Sequence, residues 1–434
     1  MVSCSNDSLL WVKVKNCLGF SGWLSGHSLS PFPPANINAT SFTLHPPYAL
    51  YVHCSTSSQK FGHSPANLVP NESCIVYFVE RQEIIVDTYI INGKFLSQRM
   101  TGVQRYAYEL TVALDSQPGV SGFLCLGVPP DTKKLPDLHQ IPVIRIGTHT
   151  GVMWEQGDFP DFCRKNHYVP LNLCNAIPLR CPGIVCIHDV KVKRFPSFFT
   201  WRFRLWYNLM FGVASRKARS LLTVSEFSKR EIVATLRVSA QRITVIPNGW
   251  QHLQKIVPDP TVLDTYHVAD KQFFFMLGSL EPNKNLAWLA KEARQNPDEL
   301  FLVSGNIDKN VFSQKNQGLS FPPNVSFIGF ASDEEVKGLM KHCKALLFPS
   351  FYEGFGVPPL EALSVGCPVI VSDIPVLREI YHDAAIYIDP SNASYHLSDL
   401  LAQQTKGAAE VLASYSWDSS ARKLLSLLEK DGKR

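Results

Sequence analysis

A chain of 434 residues is too long for one ordinary domain, and 45% apolar with 18% charged residues is the composition of a globular protein with large cores. A formal net charge of +5 is too small to indicate a nucleic-acid partner, and no apolar stretch approaches the length of a membrane-spanning helix. The eleven cysteines are scattered and include no Cys-x-x-Cys pair, so we expect no disulfide framework and no zinc site, and we favour a cytoplasmic protein.

The first 83 residues differ in composition from the rest of the chain. They are rich in Ser, Asn, His and Pro and show no sustained helical or alternating period. We therefore expect a poorly ordered N-terminal extension over 1–83. Because no methionine lies between Met1 and Met100, we also interpret this head as an upstream extension from a misplaced start, and whether it belongs to the native protein stays open.

A regular alternation of strands and helices begins near Ile84. Apolar positions at helical spacing predict a helix from Val103 to Leu114, and Ser228 and Glu231 have the spacing of a capping box that starts another helix. The alternation predicts a mostly parallel sheet covered on both faces, in a first Rossmann-like domain over 84–255. The predicted strands of this domain cover 84–91, 123–126, 143–146, 184–187, 221–224 and 243–246.

Two segments of this domain follow strands directly. His188 and Asp189 end the strand over 184–187, and the helix that carries Gly102 and Arg105 starts just after the first strand. Ligands of doubly wound sheets collect at the carboxyl ends of strands, so both places suit a binding cleft. The alternative for the second segment is a surface loop with Arg105 as a solvated helix charge.

Between Asp189 and Glu226 the chain has no acidic residue, while basic residues alternate with aromatic ones over 191–219. One interpretation is an amphipathic basic helix that docks on anionic lipid as a peripheral membrane contact. The other is a core helix whose charges face solvent. The sequence leaves both open.

A second alternation begins at Phe273 and predicts a second Rossmann-like domain over 256–415. Lys284 follows its first strand, where one ammonium group can neutralise a diphosphate. Helical spacing over 417–428 predicts a C-terminal helix, which we assign to 416–434. The predicted strands of the second domain cover 273–278, 300–303, 325–328, 345–348, 369–371 and 385–388.

Residues 346–373 have the pattern of a strand, a glycine loop and a helix. The apolar run ends at Phe348, Gly354 and Gly356 open the loop, and Pro358-Pro359 suits the first positions of a helix. Such a junction presents free backbone N–H groups and the positive end of a helix dipole, which favour a phosphate or another anion.

Two carboxylates flank this glycine loop. Glu353 lies on the loop, and Glu361 is expected on the first turn of the helix. Carboxylates accept hydrogen bonds from sugar hydroxyls while loop amides take phosphate oxygens, so a nucleotide sugar fits both. The alternative is a solvated loop charge and an unrelated helix charge.

The run Glu353-Gly-Phe-Gly-Val-Pro-Pro-Leu-Glu361, followed by Gly366-Cys-Pro-Val-Ile-Val-Ser-Asp373, resembles the donor-site signature of retaining GT-B glycosyltransferases of family four. The resemblance implies an α/β protein of the GT-B type, with two Rossmann-like, doubly wound parallel-sheet domains that face a central cleft. It places the acceptor on the first domain and a nucleoside diphosphate sugar on the second, and it implies that the C-terminal helix packs back on the first domain.

The resemblance also implies roles for particular residues. Glu353 would hold hydroxyls of the transferred sugar, Glu361 those of the ribose, and Asp189 would serve the acceptor side. This chain has Ser279 and Asn283 where the family usually has a second basic residue of the diphosphate clamp. Catalysis is thereby assigned to Glu353, His188 and Lys284. Donor binding is assigned to Glu361, Gly354, Phe355, Gly356, Val357, Ser279, Gly102 and Arg105.

The chain has no Asp-x-Asp to hold a metal beneath a diphosphate, so we expect metal-independent sugar transfer. The resemblance implies that the transfer retains configuration. Because no nucleophile is obvious, we expect same-face attack that uses the leaving phosphate as base. No cofactor is expected. Within the family, the residues of these motifs are most similar to those of mannosyltransferases of surface polysaccharide assembly, such as that of lipopolysaccharide. GDP-mannose is therefore the first donor to test, with a glycan or lipid-linked acceptor. The rival functions are a GT-B phosphorylase or epimerase and a non-catalytic sugar-nucleotide-binding protein.

Overall fold

The protein is described by a computed structural model over residues 9–15, 48–55, 73–80, 88–175, 177–278, 281–305 and 319–432. It divides into two compact units, Met1–Val86 and Asp87–Arg434. In the first unit three antiparallel strands pair in the order β1-β3-β2. We also expected poor order for the remaining residues of 1–83, and these lie outside the described residues. The three strands are β1 (Leu9–Lys15), β2 (Tyr48–Ser55) and β3 (Ser73–Glu80).

The second unit begins with a sheet of seven parallel strands in the order β10-β9-β8-β7-β4-β5-β6. We call the part built on this sheet the first lobe. Strand β7 is not predicted by the sequence, because Pro170 cannot donate a ladder hydrogen bond and argues against an inner strand. The strands are β4 (Tyr89–Asn92), β5 (Leu124–Val128), β6 (Val143–Arg145), β7 (Val169–Asn172), β8 (Ile184–Cys186), β9 (Ser220–Thr223) and β10 (Ile243–Val245).

A second sheet of six parallel strands follows, in the order β13-β12-β11-β14-β15-β16, and the part built on it is the second lobe. Its strands lie within one or two residues of their predicted positions. Two separate parallel α/β sheets confirm the predicted fold class. The strands are β11 (Phe273–Leu277), β12 (Leu300–Ser304), β13 (Val325–Gly329), β14 (Leu346–Phe348), β15 (Val369–Ser372) and β16 (Ile386–Ile388).

Helices follow the strands in both lobes. Within the described residues, no helix combines the length and apolar character that crossing a bilayer requires. The N-cap of α6 is Ser225, whose hydroxyl accepts from the Ser228 amide at 3.0 Å, so the capping position is three residues earlier than predicted. The helices are α1 (Gly102–Asp115), α2 (Gly151–Met153), α3 (Phe159–Lys165), α4 (Lys191–Arg194), α5 (Trp201–Lys217), α6 (Glu226–Leu236), α7 (Val262–Thr265), α8 (Leu286–Gln295), α9 (Asp333–His342), α10 (Val357–Ser364), α11 (Pro375–Tyr381), α12 (Leu397–Leu401), α13 (Ala408–Ser414) and α14 (Trp417–Asp431).

The last helix, α14, packs on the first lobe. Its apolar face is fully buried at Leu424 and Leu428, as expected for an amphipathic helix that covers a core. Its polar ends are also held: the Tyr89 hydroxyl donates to Asp431 at 2.8 Å, and the Gln117 side-chain amide donates to Asp418 at 2.6 Å. The end of the chain therefore ties the second lobe to the first.

Helix α5 of the basic and aromatic segment has two apolar stripes. One is a row of aromatic rings on the inner side, which begins just before the helix. Its neighbouring centroids are 5.4, 4.4 and 5.6 Å apart, with the first two contacts stacked and the last edge-on, and it consists of Phe199, Phe203, Tyr207 and Phe211. The other stripe faces solvent and consists of Trp201, Leu205 and Leu209, which are 66%, 63% and 49% exposed. Packing in the core therefore explains the first stripe and leaves the second without an explanation.

Candidate active site

The glycine loop lies between strand β14 and helix α10. Gly356 adopts a left-handed conformation with φ of 92°, and a Cβ there would come within 2.7 Å of the Leu377 side chain, so glycine is required for both reasons. Pro358 and Pro359 have no N–H, so the amides that this helix start offers come from 355–357. The loop can therefore bind a small anion through a few backbone donors.

Glu353 and Lys284 are brought together beside this loop. The Lys284 Nζ lies 2.7 Å from a Glu353 carboxylate oxygen, and the two side chains are only 12% and 14% exposed. The same ammonium lies 4.6 Å from the centre of the Phe348 ring, which adds a cation–π contact. Lys284 reaches this place because a short 3-10 turn, Pro282–Lys284, follows strand β11. Two charges 69 positions apart in the sequence thus form one partly dehydrated pair.

Asn283, the residue before Lys284, is fully buried and holds the backbone that leads into the loop. Its carbonyl accepts from the Phe351 amide at 2.8 Å, and its side-chain amide donates to the Tyr352 carbonyl at 3.3 Å. Asn283 therefore positions Glu353 and supplies no charge to it. Ser279, the other place where a second basic residue was considered, lies outside the described residues.

His188 lies at the end of strand β8 in the first lobe and is 7% exposed. Its Nε2 is 2.8 Å from the Leu173 carbonyl, and because a carbonyl only accepts, Nε2 carries the proton. Burial lowers the pKa of His188, although the Leu173 bond and Asp189 partly oppose the shift. The ring is therefore neutral at pH 7, with Nδ1 as its acceptor.

The glycine loop of the second lobe rests on this strand end. A Cβ at Gly354 would lie 2.5 Å from the His188 carbonyl oxygen, so only glycine permits the contact. The Ser225 hydroxyl donates to the Gly354 carbonyl at 2.6 Å, and the Ser228 hydroxyl lies 3.0 Å from both the Gly354 and the His188 carbonyls. The backbone of His188 is therefore in contact with the loop that carries Glu353.

Lys191 is a further charged residue of this site that the sequence did not single out. Its Nζ lies 2.6 Å from Glu281 of the second lobe, and its amide donates to the Asp189 carboxylate at 2.8 Å. Burial alone would lower the pKa of Lys191, but Glu281, Asp189 and Glu353 together outweigh it and raise the pKa. In the sequence it stands two residues after Asp189, at the start of the basic and aromatic segment 191–219.

Glu361 is the fifth residue of α10 and lies in its second turn, not in the predicted first, because the helix already begins directly after Gly356. Its carboxylate lies 2.9 Å from His252 Nε2. The Trp417 indole donates to His252 Nδ1 at 3.2 Å, which leaves the proton of the neutral ring on Nε2, facing Glu361. The sequence gave no sign of His252 in this role.

The remaining predicted residues lie elsewhere in the lobes. Arg105 forms an ion pair with Asp333, at the start of α9 in the second lobe, and lies 3.9 Å from Glu109. Gly102 begins α1, is exposed, and has open space around it. Phe355 is buried against the edge of Tyr415, so only its backbone faces the loop. Over the described ranges of the chain, no hydrogen bond or ion pair joins Arg105 or Gly102 to Glu353.

Metal binding has no candidate cluster in the part of the chain that the structure describes, where no three His, Cys, Asp or Glu side chains group as metal ligands. The arrangement offers instead two cation–carboxylate pairs, Lys284–Glu353 and Lys191–Glu281, together with a neutral imidazole and the backbone amides of 355–357. Such groups can bind hydroxyls and phosphate oxygens and can stabilise a departing diphosphate.

Comparison with known proteins identifies the family of the chain. The family model of Glycosyltransferase Family 4 matches residues 100–251, and that of Glycosyl transferases group 1 matches residues 265–434. The O-antigen chain mannosyltransferase RfbU of Salmonella typhimurium is 26% identical over 327 residues, which cover 70% of this chain and 87% of that protein. O-antigen chain mannosyltransferase B of Escherichia coli is 27% identical over 251 residues, 55% of this chain and 64% of that protein.

Solved structures share the fold. Sucrose-phosphate synthase from Thermosynechococcus elongatus superposes with a TM-score of 0.61 at 17% identity, over 79% of this chain and 98% of that one. Anabaena HepE in complex with UDP and glucose gives a TM-score of 0.56 at 18% identity, over 80% and 100% of the two chains. These likenesses show the GT-B fold. The two family models together match most of the sequence from residue 100 onward, and the chain therefore belongs to the family four glycosyltransferases.

Proposed function

We propose that this glycosyltransferase moves a sugar, with retention of configuration, from a nucleoside diphosphate sugar to a glycan or lipid-linked acceptor. The observation that carries the proposal is the Glu353–Lys284 pair, with its atoms 2.7 Å apart, on a loop whose amides open a helix. A carboxylate, an ammonium group and free amides next to each other match a ligand that has hydroxyls and phosphates in series.

The two charges of the pair exchange partners when a donor binds. Sugar hydroxyls donate to Glu353, and the diphosphate takes the ammonium of Lys284 together with the amides of 355–357. Because both side chains are largely shielded from water, their interactions with developing charge are stronger than in bulk solvent. Glu361 then holds the ribose hydroxyls, in an orientation fixed by His252.

Retention follows from attack on the face that the diphosphate leaves. The bond from the anomeric carbon to the phosphate oxygen breaks as the bond to the acceptor oxygen forms, and the departing phosphate takes the acceptor proton. We do not assign His188 as the base, because burial lowers its pKa and so disfavours protonation of its free Nδ1. Its Nδ1 instead accepts a hydroxyl of the transferred sugar.

GDP-mannose is the first donor to test. The supporting observation is that two relatives are named O-antigen chain mannosyltransferases. A further relative, 26% identical over 48% of this chain, is named as a UDP-galactose-dependent galactosyltransferase, so UDP-galactose is the second donor. A thermal-shift screen with GDP, UDP and ADP sugars identifies the donor by the largest rise in melting temperature.

The assay of function compares Glu353→Gln with the unaltered protein. We expect the variant to lose at least about 10²-fold in kcat, because a neutral amide neither pairs with Lys284 nor accepts hydroxyls as strongly. The melting temperature should stay close to that of the unaltered protein. Glu410→Gln, at an exposed carboxylate of α13, is the matched control and should turn over normally. Normal turnover in Glu353→Gln would contradict the proposal.

We also propose a peripheral contact with anionic lipid through 191–219. The supporting observation is the exposed stripe of Trp201, Leu205 and Leu209 on α5, next to the exposed Arg202 and Arg204. An apolar stripe flanked by arginines suits the boundary between acyl chains and negative headgroups. The stripe presents the first lobe, to which the acceptor is assigned, toward the bilayer.

Flotation with phosphatidylglycerol vesicles tests this contact. The unaltered protein should float at low salt, and the pair Trp201→Ser with Leu205→Ser should not, while Leu135→Ser, at a 44% exposed leucine of the first lobe, should behave as the unaltered protein does. Failure of the unaltered protein to float would end the membrane proposal and leave the transfer chemistry untouched.

A further inference from the structure

A cavity of about 310 Å³ lies between the lobes, and Glu353 is part of its lining. This volume is at the lower end of the range of about 300–1,000 Å³ typical of small-molecule sites. The first lobe contributes Phe195 and Phe227, and the second contributes Phe351 and Tyr352. The groups that we assign to the phosphates, which are the ammonium of Lys284 and the amides of 355–357, belong to residues outside this lining. The cavity therefore shares Glu353 with the donor site and is otherwise separate from it.

The walls of the cavity are aromatic and preformed. The Tyr352 ring lies 5.5 Å from that of Phe195 and 5.7 Å from that of Phe227, so rings from both lobes support one another. The Phe351 side chain is 39% exposed, while its backbone amide is fixed by the Asn283 carbonyl. An exposed ring on a fixed backbone offers a flat apolar face at little conformational cost.

The polar groups of the cavity point to a neutral, hydroxyl-rich ligand. Arg194 and Glu231 form a two-pronged pair, with nitrogen–oxygen distances of 2.5 and 2.7 Å. Arg194, the one cationic residue in the lining, is neutralised by Glu231, and Glu353 is also in the lining, so the cavity offers no unpaired positive charge to an anion. A sugar needs no such charge: its hydroxyls can share the polar groups of Arg194 and Glu231 while a ring face stacks on an aromatic side chain.

We propose that this cavity binds the pyranose ring of the acceptor next to the reacting centre. The proposal rests on the proposed function, since it names the acceptor side of the same reaction. Its first-lobe wall comes from Arg194 and Phe195, in the same segment that carries the exposed stripe of α5. A glycan attached to a lipid would thus enter from the side of the molecule that we assign to the bilayer. The ring that occupies the cavity presents its hydroxyl toward Glu353 and the transferred sugar.

Saturation-transfer NMR with methyl α-d-mannopyranoside tests the cavity directly. Ring protons of this probe should receive saturation from the unaltered protein, and its affinity should fall about three- to tenfold in Phe351→Leu, which keeps apolar bulk and removes the aromatic face. Phe327→Leu, at a 44% exposed phenylalanine of strand β13, is the matched control and should bind as the unaltered protein does. Absence of saturation transfer, or equal binding by Phe351→Leu, would overturn the proposal.

Donor hydrolysis without acceptor separates this proposal from the proposed function. Phe351→Leu should hydrolyse GDP-mannose at the unaltered rate while the KM for the acceptor rises about three- to tenfold. A loss of hydrolysis equal to the loss of transfer would assign the cavity to the donor and overturn the acceptor subsite. If the unaltered protein releases no nucleoside diphosphate from any donor but still binds the probe, the proposed function fails and the sugar cavity stands.

Discussion

The glycine loop of the second lobe and the strand end of the first lobe meet in one site, but they contribute different chemistry. The loop brings a carboxylate and an ammonium 2.7 Å apart, both on the same lobe. The strand end brings a buried imidazole that is neutral and anchored to a backbone carbonyl. The two charges that we propose for the donor are thus both on the second lobe, and their pairing does not depend on closure of the cleft.

This difference separates two tasks that a transferase must perform. The second lobe can bind the donor and stabilise the departing diphosphate with groups that are already in place. The first lobe sets distance and shape, because its strand end is packed against Gly354 so closely that no side chain fits between them. Variants on the two sides should therefore affect turnover to different extents and in different kinetic constants.

The largest effect on turnover in this comparison is expected for Lys284→Met. The substitution keeps most of the apolar side chain over Phe348. It removes the ammonium group that pairs with Glu353. We expect kcat to fall about 10²- to 10³-fold, since the lost stabilisation acts on charge that develops in the transition state. Steady-state release of nucleoside diphosphate measures it.

Lys271→Met is the control for Lys284→Met. Lys271 is a lysine of the second lobe that lies in the turn before strand β11. Its ammonium group donates to the backbone carbonyls of Lys341 and Cys343 and not to a carboxylate. Its turnover should be unchanged at a temperature where both variants are folded. A Lys284→Met variant with unaltered kcat would mean that the diphosphate is held by other groups, and the comparison between the lobes would lose its basis.

The next effect is expected for Gly354→Ala, which tests the contact between the lobes. The added methyl group would lie 2.5 Å from the His188 carbonyl, so the loop has to move or the lobes have to separate. A displacement of this size can lower kcat/KM by about 10²-fold even though no charge changes. The free energy of unfolding should fall by about 1–3 kcal/mol, as for other overpacked sites.

Gly157→Ala serves as the control for Gly354→Ala, since a Cβ at Gly157 would meet open space and its backbone is not left-handed. It should leave both stability and turnover unchanged. If Gly354→Ala retains full activity and an unaltered melting temperature, the strand end does not set the geometry of the site.

A smaller effect is expected for His188→Gln. The glutamine amide can still donate to the Leu173 carbonyl and still offers an acceptor, so only the position of that acceptor changes. Because the imidazole is neutral, we expect a loss of about tenfold in kcat, the size of one neutral hydrogen bond. A loss as large as that of Lys284→Met would show that His188 carries charge during the reaction.

The glycine loop could be predicted from the sequence because its signals are local. An apolar run, two glycines and two prolines stand within fourteen positions, and each has a conformational preference of its own. The pairing of Lys284 with Glu353 needed the family resemblance, because the two residues are 69 positions apart. The local pattern predicted Glu361 in the first turn of the helix, whereas it lies in the second, because the pattern did not show that the helix starts at Val357.

Partners that depend on tertiary packing could not be predicted. His252 meets Glu361 across 109 positions, and Lys191 meets Glu281 across 90, so neither pair leaves a mark in any short window of sequence. Strand β7 was missed for a different reason: its proline contradicts the propensity of an inner strand, and packing between its neighbours overrides that propensity. The sequence showed which groups the site needs and left open what orients them.

The smallest effect on turnover is expected for Glu292→Gln, although the effect on stability is large. Glu292 lies in α8, the helix that follows Lys284, and is fully buried. Burial raises its pKa from 4.5 to about 7, against the opposing hydrogen bonds from the Tyr395 amide and Asn296. Between about pH 4.5 and 7 the folded protein therefore keeps a proton that the unfolded chain has lost.

The sign of the pH dependence follows from this proton. The contribution of Glu292 to stability is fully present below about pH 4.5 and is lost as the pH rises to about 7, by at most about 3 kcal/mol. Glutamine does not titrate, so the free energy of unfolding of the unaltered protein, minus that of Glu292→Gln, should fall by up to that amount between pH 5 and pH 8, as measured by urea unfolding. A difference that is independent of pH would show that Glu292 is ionised throughout. Because Glu292 forms no hydrogen bond or ion pair with Glu353, Lys284 or His188 in the described residues, kcat at pH 7 should be equal in both proteins. Equal kcat would show that the charge state of Glu292 affects the stability of the second lobe and not the transfer.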